Sequence, residues 1–127
     1  MKEAISTGDA PAAIGPYAQA VRAAGLVFVS GQIPLDPATG TLIGADVVAQ
    51  AARVMQNIEA VLRAAGCSLA DVVRTTIYLV DLGHFASVNE VYARSFHPPY
   101  PARATVQVAA LPRGALVEID AIAVTPG

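Results

Sequence analysis

Apolar and polar positions change period several times along the chain, and each change marks an element. Residues 17–23 alternate moderately, and Gly25 turns them into the apolar run Leu26-Val-Phe-Val-Ser30. These read as two successive strands, the second buried. Gly31-Gln-Ile-Pro34 ends the second strand, and Asp36-Pro-Ala-Thr-Gly40 is rich in turn formers. From about residue 46 to 65 the step becomes three and four. Val48, Ala51, Ala52, Met55, Ile58, Val61, Leu62 and Ala65 then form one face of an amphipathic helix. Gln50, Arg53, Gln56, Asn57, Glu59 and Arg63 fall mostly on the other side, and Gly66 is placed to close the helix.

Residues 68–71 can cap one helical turn ahead of the β-branched run 72–80, which reads as a strand. A second helix is predicted over 85–96, with Phe85, Val88, Tyr92 and Phe96 as its apolar stripe. The proline-rich residues 97–101 cannot continue a helix and lead into a strand at 101–108. Residues 112–114 make a tight turn, and 115–124 form the last strand. The order is strand, strand, helix, strand, helix, strand, strand, without repeat or linker. This pattern predicts one α+β domain over residues 1–127, with both helices on one face of a mixed sheet. The other face needs a cover, most simply a second copy of the chain.

Composition supports that expectation. Charged residues make up only 14% and hydrophobic residues 54%, against roughly 25% charged in an ordinary soluble domain. Association hides apolar surface that a lone protomer would expose. No run reaches the roughly 20 apolar residues of a membrane span, and the N-terminus lacks the pattern of a signal peptide. The single cysteine, Cys67, fits a reducing compartment, so the expected location is the cytoplasm. With a net charge of −2 and scattered arginines, no nucleic-acid surface is expected. Lys2 is the only lysine and lies at the terminus, which argues against Schiff-base and pyridoxal-phosphate chemistry. His84, His97 and Cys67 form no close ligand pair, so no metal site is expected.

Candidate chemistry starts at Arg103, in Pro101-Ala-Arg-Ala-Thr-Val-Gln-Val108. Strand alternation puts Ala102, Ala104, Val106 and Val108 on one face, and Arg103, Thr105 and Gln107 on the other. A guanidinium stays charged and offers five donors in a planar fork matched to a carboxylate. In the last strand Glu118 and Asp120 share a face with Leu116, Ile122 and Val124, and two acids in so apolar a strand need partners. Glu118 can pair with Arg103 or lie at an exposed edge. A two-residue hairpin at 112–113 would place Gln107 opposite Glu118 and Arg103 opposite Ile122, separating Arg103 from Glu118 by roughly 13 Å. If both serve one site, either different subunits supply them or a bulge shifts the register. Gly31 is glycine either because a ligand approaches the main chain or because the strand bends there.

The Arg103 segment, with Leu111 and Val117-Glu-Ile-Asp-Ala-Ile-Ala-Val124, resembles the signature of the RidA/YjgF family of reactive-imine deaminases. Pro11-Ala-Ala-Ile-Gly-Pro-Tyr17, Val29-Ser-Gly-Gln-Ile-Pro34, Asn57 with Ala64-Ala-Gly66, Val88-Asn89-Glu-Val-Tyr92 and Phe96 extend the likeness over nearly the whole chain. The resemblance implies a chorismate-mutase-like α+β fold and a homotrimer with clefts between subunits. It implies cofactor-independent hydrolysis of 2-imino acids to 2-oxoacids and ammonia, a role in metabolite damage control. The residue matching Arg103 would grip the substrate carboxylate, and the one matching Glu118 would handle the attacking water. Tyr17, Ser30, Gly31, Asn89 and Thr105 match cleft positions. Thr105 is a departure, since many relatives carry cysteine there. The rival reading is a trimer that senses a ligand or binds a protein without turnover.

Overall fold

The computed structural model describes residues 1–126. In chain order the elements are β1 (Glu3–Ile5), β2 (Ala20–Ala23), β3 (Leu26–Gln32), α1 (Val47–Ala64), β4 (Val72–Leu79), α2 (Phe85–Ala93), β5 (Ala102–Gln107) and β6 (Val117–Val124). The strands form one mixed sheet in the order β1-β2-β3-β6-β4-β5. Among the described residues, only β4 and β5 pair in parallel. Among the described residues no helix is long and apolar enough to cross a membrane.

The expected hairpin between the last two strands does not form. β6 inserts between β3 and β4, antiparallel to both, while β5 lies parallel to β4 at the sheet edge. The reason is burial. Val117, Ile119, Ala121 and Ala123 are all buried beneath the helices, and a strand so apolar on one face belongs in the sheet centre, with neighbours on both sides. β5, with Arg103, Thr105 and Gln107, is suited to an edge. The segment between them passes through a short 3-10 turn at Pro112–Gly114. Two smaller differences are local. β1 had no sequence signal, and residues 17–19 stay outside β2. There Gln19 uses its side chain to hold the N-terminal segment, accepting from Thr7 N at 2.7 Å and donating to the Thr7, Ala10 and Pro11 carbonyls.

Helix α1 starts where the pattern placed it, with the Asp46 carboxylate accepting from Ala49 N at 2.8 Å, a standard N-cap. Gly66 takes the left-handed conformation (φ 78°) that closes the helix. The polar face of α1 is not all solvated, however. Val48 is exposed, whereas Gln50 and Asn57 are buried. Asn57 is 0% exposed; it donates to the Ile33 and Leu35 carbonyls at 3.2 and 3.0 Å and accepts from the Arg53 guanidinium. It thereby ties the loop after β3 to the helix. Asn57→Ala strands those carbonyls, so it is expected to lower unfolding free energy by about 2–3 kcal/mol, measurable by urea denaturation.

Among the described residues, no helix covers the other face of the sheet. Phe28, Val106 and Val124 lie there at 42%, 40% and 43% exposure. In β5 the apolar set (Ala102, Ala104, Val106) points to this open face, and the polar set points to the helix side. That is the reverse of β6.

Candidate active site

Register settles which face each candidate occupies. Arg103 pairs with Thr75 of β4, and Thr75 is buried under α2, its hydroxyl 2.7 Å from the Tyr92 hydroxyl. Arg103 therefore faces the helices. Glu118 pairs with Tyr78, three residues further along β4 and on the opposite face. Along β4 that offset spans roughly 10 Å, and two strand spacings across the sheet add roughly 9.6 Å. One protomer does not bring Arg103 and Glu118 together.

The Arg103 side is a cation held without a counter-ion. Its guanidinium carbon lies 4.9 Å from the Tyr92 ring centroid and 5.5 Å from that of Phe85. Stacking on two rings fixes the fork and leaves its N–H edge free. Among the described residues the ion pairs are Arg22–Glu3 and Arg63–Glu59; Arg103 has none. Burial raises the Tyr92 phenol pKa, opposed by its bond to Thr75 and by the Arg103 charge. Two residues on from Arg103, the Thr105 hydroxyl is buried without a hydrogen-bond partner, as is Nδ1 of His84 in the turn before α2. Asn89 follows Phe85 by four residues and precedes Tyr92 by three, so helical spacing puts it on the α2 face that covers Arg103. An unpaired guanidinium beside an unsatisfied hydroxyl is suited to a small carboxylate.

The Glu118 side is a cavity of about 310 Å³ lined by Glu118, Tyr17, Gly31 and Arg113, with apolar walls including Ile14 and Leu35. A bulge in β3 between Val29 and Gln32 sets Ser30 and Gly31 beside it. A Cβ on Gly31 would sit 2.1 Å from Glu118 Oε2. Glycine thus lets the glutamate side chain lie across the main chain here, where the strand also bends. Burial raises the Glu118 pKa above the ordinary carboxylate value, and the Asp120 charge raises it further. Tyr17 is exposed, its oxygen accepting from Ile14 N at 3.4 Å, so its own O–H is free to donate. Ser30 lies outside this cavity, in a shallower groove with Tyr17 and Phe28. Its hydroxyl is committed to the Ala18 carbonyl at 2.6 Å. Gly31→Ala is expected to fold, because a side-chain end can move aside, yet to displace the carboxylate. Turnover should fall by roughly a hundredfold, read as initial rate with an unchanged melting temperature.

Tyr17, Gly31 and Glu118 thus converge at one place, and Arg103, Thr105 and the Asn89 face of α2 at another. Sequence reasoning did not find Phe85 and Tyr92 as the rings beneath Arg103, because their helical spacing reads as core.

A mixed sheet with both helices on one face, an unpaired arginine on its edge strand and a half-buried glutamate on its open side is the architecture of a RidA-like protein. RidA from the Antarctic bacterium Psychrobacter matches with a TM-score of 0.92 and 49% identity, over 96% of this chain and 98% of that one. Escherichia coli TdcF with bound serine matches with a TM-score of 0.92 and 46% identity, over 98% and 99%. The family model for Endoribonuclease L-PSP covers residues 7–125, and the chain belongs to this family, which is the YjgF/RidA family. It is 62% identical over 126 residues to Protein DfrA of Myxococcus xanthus, spanning 98% of this chain and 96% of that protein. It is 50% identical over 124 residues to the mouse 2-iminobutanoate/2-iminopropanoate deaminase, spanning 98% and 92%.

Proposed function

We propose that the chain is a cofactor-independent deaminase that hydrolyses reactive 2-imino acids to 2-oxoacids and ammonia, in sites built between the subunits of a homotrimer. The observation that carries this reading is the split of the site. An unpaired guanidinium and a proton-hungry carboxylate lie on opposite faces of one sheet, so one protomer cannot use both on a small substrate. A neighbouring copy brings the Arg103 edge of one subunit to the Glu118 cavity of the next. The apolar row at Phe28, Val106 and Val124 supports that association. The name of the mouse relative supports the chemistry.

In this reading Arg103 grips the substrate carboxylate through paired N–H donors, with the Thr105 hydroxyl as a third contact, and so fixes the imine plane. The imine carbon is electrophilic without a metal. Water attacks it, Glu118 accepts the proton, and a carbinolamine forms. With the imine protonated, Glu118 then passes that proton to the carbinolamine nitrogen, the C–N bond breaks, and the regenerated carboxylate takes the hydroxyl proton as the carbonyl forms and ammonia leaves. A carboxylate whose pKa burial raises is a stronger base than an exposed one, and it suits taking and returning the proton. Tyr17 can donate to the water or the leaving nitrogen.

An amino-acid oxidase generating 2-iminopropanoate in the presence of semicarbazide provides the test. Wild-type protein is expected to lower semicarbazone formation by competing for the imine. Semicarbazone yield unaffected by the protein would end the deaminase reading. The TdcF structure with bound serine lends weight to a second reading, a trimer that binds small amino or oxo acids without turnover. Binding of 2-oxobutanoate with no effect on the trap would favour it.

A further inference from the structure

The geometry points to Asp120, tethered by the Tyr78 hydroxyl, as a positioning residue that holds the Glu118 carboxylate over Gly31 and inside the cavity. This rests on the role proposed for Glu118 but concerns different residues. Glu118 and Asp120 share the open face of β6, two residues apart. Glu118 pairs with Tyr78 of β4, and Asp120 pairs with Thr76. Yet the Tyr78 hydroxyl does not meet its own partner. It reaches diagonally and donates to Asp120 Oδ2 at 2.9 Å. Glu118 leans the other way, toward β3, where its carboxylate and chain carbons lie against Gly31. The two acids are therefore engaged from opposite sides, Glu118 against β3 and Asp120 by Tyr78 of β4.

That arrangement has a physical consequence. Released from Tyr78, the Asp120 carboxylate could swing toward Glu118 or toward water. Tethered, it is a fixed negative charge behind Glu118, which repels that carboxylate toward the cavity and strengthens its hold on a proton. The hydrogen bond to Asp120 is also the largest cause of the raised Tyr78 phenol pKa, followed by burial. The other ionisable groups facing Glu118 are Tyr17 and Arg113 in the cavity wall. From β3 the neighbours are Gly31, against the Glu118 side chain, and Gln32 in the cavity wall, neither ionisable.

The variants are Asp120→Asn, Tyr78→Phe and their combination, in the full chain as it assembles. Asn keeps an oxygen to accept from Tyr78 and removes only the charge. Carbon-13 NMR follows the Glu118 carboxyl without substrate, and the pH profile of kcat/KM follows it in turnover. Asp120→Asn is expected to move the Glu118 titration and the acid limb of the profile to lower pH, and to reduce plateau kcat/KM by roughly threefold to tenfold. Tyr78→Phe should lower kcat with little change in KM, and should add almost nothing in the Asp120→Asn background, since it acts through Asp120. A Glu118 titration unmoved by Asp120→Asn, in protein that melts like wild type, overturns the proposal. So does full additivity of the two substitutions. If the titration moves and the rate profile does not follow, the positioning stands and the catalytic role of Glu118 falls.

Discussion

Glu118→Gln is expected to reduce the hydrolysis of 2-iminopropanoate by roughly 10²- to 10⁴-fold, the usual contribution of one general acid–base group, while leaving the fold at least as stable as wild type. The second half follows from electrostatics. Burial and the Asp120 charge raise the Glu118 pKa in the folded state. A carboxyl whose folded pKa lies above its unfolded value favours folding when protonated. Its contribution is fully present below the unfolded pKa and is lost as pH rises through the folded one. Glutamine never ionises and never loses it. The melting temperature of Glu118→Gln relative to wild type should therefore increase with pH across that window. Thermal melts from about pH 4, near the ordinary glutamate value, upward should show that difference growing. A variant less stable than wild type at the alkaline end would show that Glu118 serves the fold rather than the reaction.

Arg103→Ala should be as damaging to turnover, through a different parameter. Removing a bidentate, charge-assisted contact takes away both substrate affinity and orientation, so KM rises, kcat falls, and kcat/KM drops by roughly 10³-fold or more. Arg103→Lys should recover little, because an ammonium cannot reproduce the planar fork. Stability should change by less than about 1 kcal/mol, the range of a cation–π contact at a partly exposed site. The check is steady-state kinetics beside a urea melt. A KM and kcat near wild type in Arg103→Ala would remove the carboxylate seat from the mechanism.

Much of this site was legible before the fold was known, because strand alternation sorts residues into faces without knowledge of the neighbours. Arg103 with Thr105, and Glu118 with Asp120, were grouped correctly. Alternation does not say which group meets the helices. That depends on pairing, and the hairpin expected between the last two strands was wrong. Once β6 lies between β3 and β4, Arg103 turns to the helix side and Glu118 to the open side. The expected separation of the two residues came from a register that does not exist, although the inference that different subunits supply them fits the observed faces as well. Helix α1 shows a similar limit. Its period was clear, but Asn57 and Gln50 sit on the nominally polar side and are buried because loops fold back onto them. Tertiary wrapping of that kind leaves no periodic trace. Gly31 is the opposite case: both sequence explanations pointed to a constrained backbone, and the constraint is a bulge with a glutamate laid across it.

The central claim is that no single copy of this chain holds a complete site, and co-expression of two inactive variants tests it directly. Arg103→Ala subunits keep Glu118, and Glu118→Gln subunits keep Arg103. In randomly mixed closed rings about one interface in four joins an intact arginine edge to an intact glutamate cavity. Mixed assemblies should therefore regain about a quarter of wild-type activity, while each variant alone stays inactive. Mixed assemblies as inactive as either parent would mean that each protomer works alone, and the shared site would be refuted.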